Sequence, residues 1–114
     1  MRLAASSISL LIGACAISPL NPKSRLLEQV YAVISIADMS QTVHIVRSCQ
    51  ELNPFIGSCG QNIAPEYYFP LTVLLHLAIT YILPSERSRT VWQTVTIGLE
   101  GLAVGRNLAF GWPL

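Results

Sequence analysis

The sequence predicts an all-α fold: a small three-helix, membrane-associated bundle preceded by an N-terminal signal or anchor segment. Three observations predict it. The 114 residues are 52% hydrophobic and only 11% charged, against roughly 25% charged in an ordinary soluble domain, so little material is left to cover a water-facing surface. Three long segments separated by turn-forming residues carry their polar side chains at helical spacing. The chain also opens on a basic residue followed by an uncharged apolar run, the order of a secretory leader. The length suits one domain. A net charge of +1 gives no basic footprint for nucleic acid.

The first element is the leader, residues 1–22, with the helical domain occupying residues 23–114. Arg2 supplies the positive start, Leu3 to Ile17 is uncharged, and Pro19, Asn21 and Pro22 break the run. Within it, Leu11-Ile12-Gly13-Ala14-Cys15 resembles the lipobox of bacterial lipoproteins. The resemblance implies cleavage before Cys15 and lipidation of its thiol, and hence a lipid-anchored protein on the periplasmic side of a bacterial envelope. An uncleaved anchor helix and an ordinary cleaved signal are the alternatives. With Cys15 lipidated, Cys49 and Cys59 remain, ten residues apart. In an oxidising compartment they can close a short loop, worth about 2–4 kcal/mol; two free thiols are the other reading. No metal site is expected, since two cysteines without a nearby histidine do not complete a zinc tetrahedron.

A first helix is expected from about Leu26 to Ser48, capped by Ser24 or a neighbour. A loop follows to Pro65, with Asn53-Pro54 and Cys59-Gly60 as turn signals. The second helix runs from near Glu66 to before Pro84, with Pro70 in its first turn. The third runs from about Ser88 to Gly111, and the short turn before it implies an antiparallel neighbour. The second helix is the best transmembrane candidate, uncharged from Tyr67 to Ser85 yet short against the roughly 20 residues a span needs. Glu28, Asp38 and His44 in the first helix, and Glu100 and Arg106 in the third, oppose insertion at about 2.5–3.5 kcal/mol per central charge.

The polar positions fall in stripes. Tyr31, Ser35, Asp38, Gln41 and Thr42 share one face; Thr72, His76 and Thr80 share another; Gln93, Thr96, Glu100 and Asn107 a third. Buried polar groups need partners, so the stripes are expected to face one another, with Asp38, His76, Glu100 and Asn107 as the buried polar cluster and Arg106 as a counter-charge. Such a carboxylate–imidazole–carboxylate set can bind a metal or relay protons, but hydrogen bonding between helices is the favoured role. Opposite the third stripe lie Gly98, Gly101, Gly105 and Ala109, small enough for close helix packing. Packing within the chain is favoured there over a homo-oligomer seam through Gly101 and Gly105.

The order Asp38-x-x-Gln41-Thr42, then Glu51-Leu52-Asn53-Pro54-Phe55-Ile56-Gly57, then Glu100 and Asn107 resembles small, uncharacterised bacterial and phage-encoded proteins. It also resembles a domain-of-unknown-function family of small helical membrane proteins with an acidic-x-Asn-Pro loop. The likeness covers roughly residues 30–112; it implies a helical membrane protein and no activity, and the cysteine pair is not part of that pattern. From the residues themselves, Glu51, Asn53, Pro54 and Gly57 read as a structural loop motif, with Glu51 and Asn53 capping the loop onto neighbouring helix ends.

No catalytic motif and no cofactor-binding loop is present. The expected function is therefore non-enzymatic: an envelope protein contacting membrane lipid or another envelope protein, in a phage-derived setting one that acts on the host envelope. The alternatives are a membrane-embedded enzyme or proton- or metal-handling protein using Asp38, His76 and Glu100, and a small pore-forming lysis component.

Overall fold

The computed structural model describes residues 19–114. It contains three helices, α1 (Pro22–Arg47), α2 (Pro65–Ile82) and α3 (Glu86–Ala109), and no strand among the described residues. Cys15 and the lipobox-like run lie outside them.

Helix α1 starts four residues earlier than the sequence suggests. Asn21 is the cap, its Oδ1 accepting from the Ser24 amide at 2.7 Å, and Pro22 occupies the first turn, where a missing N–H leaves no bond unmade. The residues read as breaking the leader are thus the start signal of α1. In α2 the first-turn proline is Pro65; Pro70 lies inside the helix and leaves the Glu66 carbonyl without its helical donor. Helix α3 begins at Glu86 because Ser85 and Ser88 form a reciprocal capping box, Ser85 Oγ accepting from the Ser88 amide and Ser88 Oγ from the Ser85 amide.

The chain runs up, down and up, so α1 and α3 are parallel. Their seam is the most extensive, α1 also packs on α2, and α2 and α3 meet only sparsely. The short α2–α3 turn does make these helices antiparallel, but the bundle is organised around α1.

Between α1 and α2, Cys49 and Cys59 are joined by a disulfide with Cα atoms 4.0 Å apart. Inside that ring Glu51 Oε1 accepts from the Asn53 amide, Asn53 Oδ1 from the Phe55 amide, and the Asn53 carbonyl from Ile56 and Gly57. Ile56, fully buried, anchors the loop. Glu51 and Asn53 therefore cap the turns of their own loop, not the helix ends expected from sequence. Gly57 has φ +85°, and a Cβ there would sit 2.6 Å from Gln61 Cδ, which explains a glycine at this turn.

The core is inverted. Among the described residues the buried side chains include ten polar or charged ones (Ser24, Ser35, Asp38, Gln41, Thr42, His76, Thr80, Arg89, Gln93, Asn107) and five apolar ones (Leu20, Tyr31, Ile45, Ile56, Phe69). The outer faces are apolar: Val33 and Ile36 on α1, Leu71, Leu74 and Leu75 on α2, Val91, Val95, Leu99 and Leu102 on α3 are all more than half exposed. No exposed charged side chain occurs in segments 26–43, 67–85 or 88–105. Among the described residues no helix is long and apolar enough to cross a membrane, which corrects the expectation of a transmembrane helix over α2. Its eighteen residues include Glu66, two prolines, three tyrosines and His76, and these dilute the apolar run.

Gly98, Gly101 and Gly105 look outward, and a Cβ at any of them would meet nothing within 4 Å. The expectation that this face packs within the chain is not met among the described residues, because the α3 stripe opposite already engages α1.

Candidate functional site

The polar stripes of all three helices point into the bundle, but the ionisable residues divide into two clusters instead of forming one constellation. The first lies toward the start of α1 and centres on Glu28. Its Oε2 is 3.0 Å from His76 Nδ1; its Oε1 accepts from the Thr80 hydroxyl at 2.5 Å and from Gln93 Nε2 at 3.0 Å. Burial pushes the Glu28 carboxyl up, but hydrogen bonds from His76, Thr80 and Gln93, with the His76 charge, outweigh it and hold the carboxyl below its ordinary value. Glu28 links α1 to both other helices, and sequence reading missed it. The signal was present: Glu28 precedes Ser35 by seven residues, within about 20° on the helix.

His76 Nε2 lies 2.6 Å from Thr96 Oγ1. Carboxylate, imidazole and hydroxyl are in the order of a nucleophile relay, yet the surroundings do not present a nucleophile. Tyr31 stacks on the imidazole at 3.7 Å between centroids and Trp92 at 4.9 Å, His76 is buried, and the Thr96 hydroxyl also has the Trp92 and Gln93 carbonyls within reach. The geometry ties three helices together.

Arg89 extends this cluster. It is buried and donates from Nε to the Thr80 carbonyl at 2.9 Å, from an Nη to the Tyr81 carbonyl at 3.3 Å, and from another to Glu86 Oε1 at 2.8 Å. It thereby satisfies carbonyls at the end of α2, which have no helical donor. Glu86 Oε2 accepts from Asn21 Nδ2 and Ser24 Oγ, fastening the start of α1 to the start of α3. Helix α3 starts two residues before the Ser88 expected from sequence, and Arg89 lies on its buried face.

The second cluster lies toward the loop. Asp38 and Glu100 face the same cavity and act on each other electrostatically. Asp38 Oδ1 accepts from Thr42 Oγ1 at 3.3 Å and Asn107 Nδ2 at 3.4 Å, and Asn107 also donates to Gln41 Oε1 at 3.1 Å. Gln41 Nε2 reaches the carbonyl of Trp112 at 3.2 Å, pinning the C-terminal turn. Burial raises the Asp38 carboxyl above its ordinary value, against the hydrogen bonds of Glu100 and Thr42 and the nearby Arg106 charge. Burial, reinforced by Asp38, pushes Glu100 up to about 8.

So Asp38, Glu100 and Asn107 come together, while His76 belongs with Glu28. Among the described residues no group of three or more His, Cys, Asp or Glu side chains is arranged to hold a metal ion. A cavity of about 270 Å³ opens over the Asp38–Glu100 pair, lined also by Glu51, Asn53, Arg106 and Asn107. Comparison with family models, curated proteins and solved structures gives no match.

Proposed function

We propose that this chain is a non-enzymatic, membrane-associated protein of the bacterial envelope, in which an apolar exterior meets lipid and a polar interior binds three helices to one another. The inversion of its side chains carries this reading. In water, burying Gln41, Thr80, Gln93 and Arg89 while exposing Leu71, Leu74, Leu99 and Leu102 reverses the usual distribution, and a large exposed apolar surface marks contact with a membrane or a partner. In lipid the same distribution is favourable, because buried polar groups then find partners only within the bundle. The absence of exposed charge along the middle of all three helices favours lipid over a protein partner, whose contact patch is normally rimmed by charge.

The Cys49–Cys59 disulfide fits an oxidising compartment, in keeping with a periplasmic lipoprotein anchored through Cys15. Fractionation of expressing cells tests the reading. The parent chain is expected to stay with membranes through an alkaline wash and to need detergent for release. A variant with Leu71, Leu74, Leu99 and Leu102 all changed to Gln is expected in the wash. Recovery of the parent as a monodisperse protein without detergent would refute the proposal. Fatty-acid labelling that is unchanged in Cys15→Ser would remove the lipid anchor from it.

A further inference from the structure

We propose that the end of the bundle where α1 and α3 begin binds an anionic phospholipid, with Arg87 taking the phosphate and the groove beside it taking an acyl chain. The proposal rests on the lipid-facing exterior inferred above and names the class of lipid. The two ends of the bundle differ in charge. Asn21 and Ser24 both donate to Glu86 Oε2, which sets the start of α1 against the start of α3. Lys23, Arg25 and Arg87 gather at this end, all exposed. Its exposed carboxylate, Glu86, is already engaged by Arg89, Asn21 and Ser24. Among the described residues no carboxylate pairs with Lys23, Arg25 or Arg87. At the opposite end Arg47 and Arg106 are matched by Glu51 and Glu66.

Arg87 lines an open groove of about 540 Å³. Leu83 at the end of α2, with Val91, Trp92 and Val95 on α3, gives the groove an apolar wall, and Ser88 adds a hydroxyl near Arg87. Val91, Val95 and Leu102 recur at helical spacing on one face and are each more than half exposed, so the groove runs on as an apolar row. From Val91 to Leu102 that row rises about 16 Å at 1.5 Å per residue, close to the roughly 15 Å hydrocarbon depth of one leaflet. A cation above an apolar track of leaflet depth matches a phospholipid better than a soluble anion, which would leave the track uncovered. The guanidinium of Arg87 offers paired donors to phosphate oxygens, and Trp92 is of the aromatic type that settles at the headgroup level. Each Lys or Arg near an anionic surface raises affinity about fivefold, so Lys23, Arg25 and Arg87 together supply a gain of about 100-fold.

The two tryptophans of the chain make the test local, because Trp92 lines this groove and Trp112 lies at the loop end of the bundle. The full chain carrying Trp112→Phe is reconstituted into phosphatidylcholine bilayers. Brominated phosphatidylglycerol or brominated phosphatidylcholine is then added as quencher at matched fractions. Trp92 emission is expected to be quenched at about fivefold lower fractions of the anionic lipid, or lower still. Arg87→Gln should reduce that preference about fivefold, and changing Lys23, Arg25 and Arg87 all to Gln should abolish it with helicity unchanged. Trp112, read alone in Trp92→Phe, is expected to show no preference. Equal quenching of Trp92 by the two lipids, an equal preference at Trp112, or a preference that survives the triple change would overturn the proposal and leave the lipid-facing exterior standing. Quenching by neither lipid would refute that exterior and the proposal with it. If the triple variant does not fold, the comparison of Trp92 with Trp112 decides.

Discussion

Removing the imidazole of His76 isolates the contribution of the interior Glu28–His76 hydrogen bond, because the structure leaves each neighbour a second partner. In His76→Leu, Glu28 keeps its donors Thr80 and Gln93, and Thr96 keeps the Trp92 and Gln93 carbonyls. In Glu28→Leu, Thr80 keeps the His76 carbonyl and Gln93 the Ser24 carbonyl, each at 2.9 Å. A hydrogen bond to a charged group contributes about 1.5–3 kcal/mol, and an aromatic stack about 0.5–1.5 kcal/mol. His76→Leu loses one such bond and its packing between Tyr31 and Trp92, for an expected loss of about 3 kcal/mol after Leu recovers part of the apolar contact. The pair term itself is read from the double-mutant cycle with Glu28→Leu and is expected at about 1.5–3 kcal/mol. Reversible unfolding by a denaturing detergent in mild micelles, followed by far-ultraviolet circular dichroism, measures all four corners. Coupling below about 0.5 kcal/mol, the lower bound for residues in direct contact, would show that the cluster does not act as a unit.

Three further outcomes follow from the geometry. Because Glu28 is held below its unfolded value of 4.5, its contribution to stability is present above that value and is lost as pH falls through the folded one; acid unfolding profiles of the parent and Glu28→Gln should converge there. Gly57→Ala forces a side chain into the left-handed region and against Gln61, with an expected loss of about 1–2 kcal/mol, whereas Gly101→Ala, facing open space within a helix, should stabilise by up to about 1 kcal/mol; unfolding midpoints distinguish the two. Reducing the Cys49–Cys59 bond, or replacing both residues with Ser, should cost about 2–3 kcal/mol and release the loop first, seen as hydrogen exchange at the Ile56 and Gly57 amides.

The stripe residues were legible because helical periodicity is a local property. Tyr31, Ser35, Asp38, Gln41 and Thr42 all turn inward, as their spacing requires. Glu28 and Arg89 obey the same seven-residue spacing to Ser35 and Thr96, but a charge near a helix start reads more readily as a solvated end. Which stripe residue meets which was not legible. That depends on the rotation and rise of one helix against another, and the parallel α1–α3 seam places Asp38 beside Glu100 and leaves His76 to Glu28. The start of α1 was misplaced because Pro22 serves equally to end one segment and to begin a helix. The outward glycines show the same limit: a small face permits close packing without naming what packs on it.

The inverted distribution itself is tested most directly by measuring what touches the outer faces. Nitroxide labels are placed one at a time through Leu74→Cys, Leu99→Cys and Arg47→Cys, in a Cys15→Ser chain with its disulfide intact, reconstituted into bilayers. Collision rates with oxygen, which concentrates in acyl chains, and with a water-soluble nickel chelate then report the surroundings of each label. Oxygen collisions are expected to dominate at positions 74 and 99, and chelate collisions at position 47. Chelate dominance at both 74 and 99 would contradict a lipid-facing exterior.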